Sequence, residues 1–348
     1  MNILNKIKQS KLSYNNALSI KTIDMHTGGE PLRVIIDGYP TLKGKSILEK
    51  RNYTKEHLDH LRKALMFEPR GHADMYGVIL TEACTKGCDF GVIFMHNEGY
   101  STMCGHATIA ITKLAVLQNW VEVTAPITHI TIDAPCGVLH ASAYINDEGE
   151  VTKVSFKCVP SFVLALNEKI EVTDLGEITY DLAYGGAFYA YIDADEIGLS
   201  LDKNNYDKII TYGKKIKKSI VETKDNIKHP FEEDLSFLYG TIFISNKSDV
   251  HSKNVCVFAN GEVDRSPTGS GVSGRAAIHY KKNELEKNHS IIIESILNTS
   301  FEVKVLEALK YGQFDAIIPE VSGNAYITGE HNFLIDEDDE LKYGFFLR

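Results

Sequence analysis

The sequence predicts an α+β protein that is rich in antiparallel strands and built from two similar lobes. Three observations support this prediction: many short strand-like runs, two segments typical of buried helices, and an order of features that occurs once in each half. At 348 residues the chain exceeds what a single hydrophobic core usually supports, so two units are expected. Its 43% hydrophobic and 24% charged residues are typical of an ordinary globular protein.

The strand candidates are short apolar runs with a two-residue alternation or a continuous β-branched core. Most of them are bounded by Gly, Pro, Asp or Asn, which favour turns. The predicted strands are residues 31–37, 90–95, 129–134, 137–145, 151–159, 188–194, 254–259 and 290–295.

Two segments have a different composition and are predicted to form buried helices. They are CGHATIAITKLAVLQ (104–118) and TGSGVSGRAAIHYKK (268–282), and both begin almost without charge and are rich in small or apolar residues. A helix that is apolar on all sides is one surrounded by protein.

The two halves of the chain resemble each other. HTGGEPLRVI (26–35) matches AYGGAFYAYI (183–192), since in each a Gly-Gly turn leads into a strand. Further along, each half reaches a helix start, at Cys104 in one and at Thr268 in the other. We therefore expect a first lobe over 1–160 and a second over 161–324, with a segment from about 325 to 348 that packs back on the first.

Charge and cysteine content narrow the possible partners and location. A formal net charge of −10 argues against nucleic acid or an anionic membrane as partner, and KKIKK (214–218) is interpreted as a solvated helix face. There is no signal-peptide pattern, and no apolar run approaches the roughly 18 residues of a membrane span. Six cysteines without regular spacing fit reduced thiols, so a cytoplasmic location is expected.

If each lobe wraps its helix, the two helix N-termini can face each other and bind an anion such as a carboxylate. Cys104 would lie at one of these termini, where the dipole favours its thiolate and draws the thiol pKa from about 8.5 toward neutrality. Cys104 is thus a candidate base, although an inert buried cysteine is the alternative. The five other cysteines are expected to be inert.

Four segments together resemble the proline racemase family: DMHTGGEPLRV (24–34), HNEGYSTMCGHATIA (96–110), DLAYGGAFYA (181–190) and DRSPTGSGVSGRAA (264–277). The resemblance spans almost the whole chain. It implies two pseudo-symmetric lobes, each a barrel-like sheet around a central helix, as in diaminopimelate epimerase. It also implies catalysis without a cofactor by two facing cysteines. Cys104 matches the first of them, but Thr268 stands at the position of the second.

This departure changes the implied reaction. An aliphatic hydroxyl is far less acidic than a thiol, so Thr268 is a poor partner for exchanging a proton on the second face of Cα. Family members with this Cys and Thr pair resemble dehydratases that convert trans-3-hydroxy-L-proline to Δ1-pyrroline-2-carboxylate. A hydroxyproline epimerase or proline racemase with an unusual acid partner is the alternative within the family. A catalytically silent amino-acid-binding protein is the alternative outside it.

The resemblance implies a role for each matching residue. Cys104 would remove the Cα proton, Asp264 would pair with the ring ammonium, and Thr268 would face Cys104 across the substrate. Thr268 is equally well explained as a helix N-cap. Backbone N–H groups would bind the carboxylate, from Gly105, His106, Gly269 and Ser270. A small-molecule substrate and a homodimer are expected as partners.

Three short motifs suggest other functions. GSGVSG (269–274) matches the dinucleotide pattern G-x-G-x-x-G, but it follows a polar turn and no βαβ units surround it. HNE (96–98) resembles the start of a zinc-deaminase motif without its second half, and Cys84 and Cys88 lack a second ligand pair. Four polar residues of the family segments have two possible roles that the sequence does not distinguish. They either orient the helix ends or are satisfied polar groups in tight turns: His26, Glu30, Asn97 and Glu98.

Overall fold

The first lobe is a mixed sheet with one central helix. The computed structural model describes residues 3–8, 17–246 and 252–347. The strands of this lobe are β1 (Ala17–Thr27), β2 (Glu30–Asp37), β3 (Tyr76–Thr81), β4 (Phe90–His96), β5 (Gly99–Tyr100), β6 (Ile127–Ala134), β7 (Gly137–Ile145) and β8 (Val151–Lys157). Its helices are α1 (Ile3–Lys8), α2 (Ile47–His57), α3 (Asp59–Met66) and the central α4 (Gly105–Leu117).

The second lobe has the same plan, and the last strand follows it. Its strands are β9 (Ser161–Val172), β10 (Gly176–Tyr184), β11 (Phe188–Asp193), β12 (Leu238–Ser245), β13 (Ser252–Phe258), β14 (Glu262–Asp264), β15 (Ser290–Glu294), β16 (Ser300–Tyr311) and β17 (Phe314–Gly323), followed by β18 (Ala325–Asp336). Its helices are α5 (Tyr206–Thr223) and the central α6 (Gly269–Lys281), with short 3₁₀ turns at Lys203–Asn205 and Glu233–Leu235.

Strand pairing shows the pseudo-symmetry directly. The strand order is β18-β1-β2-β3-β4-β6-β7-β8 in the first lobe and β9-β10-β11-β12-β13-β15-β16-β17 in the second. Corresponding pairs have the same sense: β2–β3 and β11–β12 are parallel, as are β4–β6 and β13–β15. β17 also pairs with β9, which closes an eight-stranded barrel, and with β8, which joins the lobes. The predicted α+β class with a sheet around each central helix is confirmed.

The two central helices are buried along almost their whole length, as their composition predicts. In α4 eleven of thirteen residues are buried, and in α6 the first ten are buried. Each helix therefore contacts protein on all sides, and its orientation is fixed by the sheet that encloses it. β18 runs antiparallel along β1, with Ala17 opposite Asp336 and Thr27 opposite Ala325.

α5 covers the second lobe through one apolar face, which carries Ile209, Ile216 and Ile220. The interpretation of KKIKK as a solvated face is wrong for one lysine. The Nζ atom of Lys217 donates to the carbonyl oxygens of Tyr239 at 3.0 Å and Ala259 at 2.6 Å. Among the described helices, none is long and apolar enough to cross a membrane.

Candidate active site

The N-termini of α4 and α6 meet at two glycines. A Cβ atom built on Gly269 would lie 2.5 Å from the Cα atom of Gly105, and one built on Gly105 would collide with Gly269 in the same way. The absence of side chains at both positions lets the backbones touch. Both helix dipoles consequently point their positive ends at one place between the lobes.

A small cavity lies at this junction and contains all seven residues predicted for the site. Its empty volume, which includes the solvent at its mouth, is about 290 Å³. The predicted residues in its lining are Cys104, Gly105, His106, Asp264, Thr268, Gly269 and Ser270. Five further residues complete the lining: Tyr76, Met103, Tyr189, Tyr239 and Phe258.

The cavity offers a set of uncommitted backbone donors. Within the described part of the chain, the N–H groups of Gly105, His106, Gly269 and Ser270 have no hydrogen-bond acceptor. These are the first groups of α4 and α6, which no earlier turn of helix can satisfy. Four donors and two positive dipole ends make a binding site for a small anion.

Cys104 is the N-cap of α4, and its Sγ atom accepts a hydrogen bond from the Ala107 N–H at 3.4 Å. The expected shift of its pKa toward neutrality is wrong. Burial raises the pKa of the Cys104 thiol well above its usual value, and the carboxylates of Asp264 and Glu30 raise it further. The Ala107 N–H and the Tyr76 hydroxyl lower it, but a single turn of helix does not offset the loss of water.

The His106 ring lies against the Cys104 thiol, with Nδ1 3.2 Å from Sγ. Burial lowers the pKa of His106 to about 3, so the ring is neutral at any ordinary pH. The Thr27 hydroxyl holds the backbone of this turn by donating to the His106 carbonyl at 2.9 Å. His106 therefore contributes a neutral hydrogen-bonding ring to the site and no charge.

Thr268 precedes α6 at the position that corresponds to Cys104. Its φ of 69° lies in the left-handed region, which a β-branched residue rarely adopts. Its hydroxyl makes no cap hydrogen bond and, among the described residues, has no hydrogen-bond partner, although it is buried. It lies close enough to Asp264 and Cys256 to lower the pKa of both. Thr268 thus occupies the cap position without acting as a side-chain cap.

Asp264 ends β14 and is buried in the cavity wall. Burial raises the pKa of its carboxyl to about 6, against the opposing hydrogen bond from the Ser266 N–H at 2.7 Å. A carboxylate held in this way is stabilised by any cation that enters the cavity. It lies on the same site as the uncommitted N–H donors, so the cavity can bind a small zwitterion.

A model of the proline racemase family matches residues 22–346. The chain belongs to this family. It is 53% identical to a trans-3-hydroxy-L-proline dehydratase of Colwellia psychrerythraea, over 98% of this chain and 96% of the relative. It is 44% identical to a 3-hydroxyproline 2-epimerase of Burkholderia multivorans, over 95% and 98%. A crystal structure of an Agrobacterium vitis hydroxyproline epimerase with bound trans-4-hydroxy-L-proline has a TM-score of 0.89 and 27% identity, and the match covers 95% of this chain and 96% of that one.

In this member of the proline racemase family an aromatic wall faces the helix ends, and the sequence prediction missed it. The rings of Tyr239 and Phe258 stack at 5.5 Å, and Tyr189 contacts Tyr239 edge-on at 5.8 Å. A signal for two of these residues was present in the repeat. Tyr76-Gly77 begins β3, and Tyr239-Gly240 follows the first residue of β12, the corresponding strand of the second lobe.

Glu30 links the lobes of this racemase-family fold beside the cavity. Its Oε2 atom accepts the Arg265 N–H at 2.7 Å, and the Arg265 guanidinium also reaches Asp74 at 3.3 Å. Burial raises the pKa of Glu30 well above its usual value, and the charge of Asp264 adds to the effect. Asn97, in contrast, is a satisfied turn residue that bonds the backbone of Met75 at 3.0 Å. Glu30 is therefore an orienting group, and Asn97 is a satisfied turn residue.

The competing motifs have structural explanations in the proline racemase fold. The glycines of GSGVSG lie inside α6, where a Cβ on Gly271 would meet Ile242 at 2.5 Å and one on Gly274 would collide with the Tyr191 hydroxyl. They allow close packing of helix and sheet. His96 of HNE pairs with Glu262 at 2.9 Å. All six cysteines are unpaired.

Proposed function

We propose that this chain removes water from trans-3-hydroxy-L-proline and forms Δ1-pyrroline-2-carboxylate. The observation that carries the proposal is the pair at the joined helix ends, with a thiol at Cys104 and only a hydroxyl at Thr268. Full-length relatives named as this dehydratase support it, including those of Colwellia psychrerythraea and Bacillus thuringiensis. The reaction makes the chain a hydro-lyase.

Substrate binding begins with the charges of the amino acid. The N–H groups of Gly105, His106, Gly269 and Ser270 bind the carboxylate, where two helix dipoles add to the attraction. The ring ammonium pairs with Asp264, which is ionised when the cation is present. These contacts fix the substrate Cα in the narrow space between Cys104 and Thr268.

Cys104 then acts as the base. Its pKa is raised by burial and further by the negative charge of Asp264. When the ring ammonium pairs with Asp264, this charge is neutralised and a cation lies near the thiol, so the thiolate becomes more stable and the thiol releases its proton to solvent. Substrate binding thereby activates the group that removes the Cα proton, and the free enzyme keeps its cysteine in the less reactive thiol form.

Loss of the Cα proton leaves an electron pair next to C3. The pair forms the Cα–C3 double bond as the C3 hydroxyl leaves, and the resulting enamine tautomerises to the cyclic imine. Elimination needs a competent base on one face only. Thr268 on the other face cannot return a proton to Cα as a thiol would, because its hydroxyl is many pKa units less acidic.

Epimerisation at Cα is the second candidate function. The 3-hydroxyproline 2-epimerase of Burkholderia multivorans is 44% identical to this chain, so a dehydratase and an epimerase can share much of this sequence. An epimerase requires an acid on the Thr268 face. The acidic groups that lie close enough to interact with the Thr268 hydroxyl are Asp264 and Cys256.

Product analysis separates the two functions. The purified protein is incubated with trans-3-hydroxy-L-proline and with L-proline. We expect a cyclic imine, detected with o-aminobenzaldehyde, from the first substrate, and unchanged optical rotation with the second. Racemisation of L-proline at a comparable rate contradicts the dehydratase. Cys104→Ala is the control: it should abolish imine formation, with an unchanged circular dichroism spectrum.

Further parts of the proposal concern assembly and location. Unpaired thiols at all six cysteines fit a reducing compartment, which supports the cytoplasm. A homodimer is inferred from the resemblance to the family alone, and light scattering on the purified protein measures it. The division into lobes at residues 160 and 324 is tested by limited proteolysis.

A further inference from the structure

The stereochemistry of the proposed substrate decides which face of its ring the leaving hydroxyl occupies. This inference rests on the proposed function. At Cα the proton and the carboxylate lie on opposite faces of the ring. In the trans isomer the C3 hydroxyl is opposite the carboxylate, and so it shares a face with the Cα proton. The group that protonates the departing hydroxyl must therefore lie on the side of Cys104, and Thr268 lies on the other side.

We propose that Tyr76 is the general acid that donates a proton to the departing C3 hydroxyl. Tyr76 begins β3 in the same lobe as Cys104, and it lines the cavity. Hydroxide is a poor leaving group, so proton donation as the C–O bond breaks is worth about 10²- to 10⁴-fold in rate. A buried phenol is a suitable donor, since it remains protonated until the leaving oxygen becomes strongly basic.

The surroundings of Tyr76 fix its hydroxyl beside the thiol. The hydroxyl is hydrogen-bonded to the buried Ser101 Oγ. It also lies against Cys104, where it lowers the pKa of the thiol while the thiol raises the pKa of Tyr76. The Tyr76 ring meets the His106 ring edge-on at 4.8 Å. One oxygen can thus contact both the Cys104 sulfur and a substituent on the same face of the substrate.

Tyr239 is the counterpart of Tyr76 in the second lobe and provides the comparison. It lines the same cavity. Burial raises the pKa of Tyr239 well above its usual value, and the nearby Tyr76 hydroxyl opposes this effect. It is the second residue of β12, which belongs to the lobe of Thr268. The chirality of the substrate makes the two tyrosines inequivalent, and it selects Tyr76.

The proton balance closes with two residues. The Cys104 thiolate takes the Cα proton, and the C–H electron pair becomes the Cα–C3 double bond. The C3–O bond breaks with its pair on oxygen, and the Tyr76 proton converts that oxygen to water. Tyr76 is left as a phenolate next to the Cys104 S–H, from which it recovers a proton. Thiolate and phenol are both restored, and the net products are the enamine and water.

The test compares two leaving groups. Fluoride requires much less proton assistance than hydroxide, so trans-3-fluoro-L-proline bypasses the acid while it still needs Cys104. We expect Tyr76→Phe to lower imine formation from trans-3-hydroxy-L-proline at least about 100-fold, and fluoride release less than tenfold. Tyr239→Phe is the matched control and should lower both rates by the same factor. Fluoride is measured with an ion-selective electrode.

Several results overturn the inference. In Tyr76→Phe, these results are an equal decrease in the rates of dehydration and fluoride release, or dehydration at the wild-type rate. In Tyr239→Phe, the result is a decrease in the rate of dehydration without a decrease in the rate of fluoride release. If Tyr76→Phe does not fold, 4-fluorophenylalanine at position 76 replaces it, because this residue fills the space of the hydroxyl without a proton to donate. A wild-type protein that forms no imine contradicts the proposed function itself, whereas an active Tyr76→Phe contradicts only the role of Tyr76.

Discussion

Gly105 and Gly269 touch through their backbones at the point where the two lobes meet. Each is the first residue of a buried helix, and neither position has room for a Cβ atom. The contact sets the distance between Cys104 and Thr268, the residues that precede the two helices. It also brings two sets of free N–H groups together, which no single helix end could do.

The first prediction concerns this contact. Gly105→Ala and Gly269→Ala should each lower the free energy of unfolding by about 1–3 kcal/mol, because the added methyl group forces the helix ends apart. They should also lower kcat/KM by more than an equally destabilising change elsewhere. Denaturant unfolding and steady-state kinetics measure the two effects.

Gly329→Ala is the control for the glycine variants. A Cβ at Gly329 would approach no atom closer than 3.4 Å, at the His331 ring, and β18 places this residue far along the chain from the helix ends. We expect little change in stability or activity. Normal activity in Gly105→Ala would show that the helix ends can separate without loss of catalysis, and that their close contact is not required for it.

The second prediction concerns the reactivity of Cys104. Since burial raises the pKa of its thiol, the rate of alkylation of Cys104 by iodoacetamide should keep rising with pH beyond 9 when no substrate is added. Mass spectrometry of the labelled peptide identifies the site, and Cys104→Ala gives the background from the other cysteines. An alkylation rate that levels off near pH 7 would restore the expectation from the helix dipole alone.

The failure of that expectation illustrates what a sequence can and cannot indicate. The residue types at the start of α4 reveal a thiol at a helix terminus. The effects that stabilise its thiolate and lower its pKa follow from that position. The effects that raise the pKa come from complete burial and from the charges of Asp264 and Glu30, and they depend on how the two lobes pack together. Tertiary contacts of this kind have no local signal.

The fold was more predictable because its signals are local. The ends of the eight predicted strands and of both central helices lie within two residues of the observed ends. The strands that were not predicted include β9 and β16. Tyr76 and Tyr239 were missed although a Tyr-Gly pair recurs in the two halves, since aromatic residues at strand starts are usually assigned to the core.

The third prediction concerns Asp264 and pH. Burial raises its pKa to about 6, so the carboxyl is neutral below this pH and cannot pair with the ring ammonium. We expect kcat/KM to rise with pH as the Cys104 thiolate forms, and to fall by a further factor of about ten per pH unit below 6, where Asp264 becomes protonated. Asp264→Asn should lower kcat/KM at pH 8 and remove this acid limb. If Asp264→Asn shows the same decrease in kcat/KM with the same midpoint near pH 6, another group causes that decrease.

The fourth prediction returns to the position opposite Cys104. Thr268→Cys places a second thiol at the head of α6, with an acidity that a hydroxyl lacks, so proton transfer on the second face of Cα becomes possible. In D₂O the variant should incorporate deuterium into L-proline with inversion at Cα, and its dehydration of trans-3-hydroxy-L-proline should decrease. NMR and chiral chromatography follow the two reactions. Thr268→Ser is the matched control, because it also removes the β-branch from a residue with a φ of 69° but adds no thiol. Inversion in Thr268→Cys and none in Thr268→Ser would assign the change to acidity, whereas no inversion in either would place Thr268 too far from the second face of the substrate.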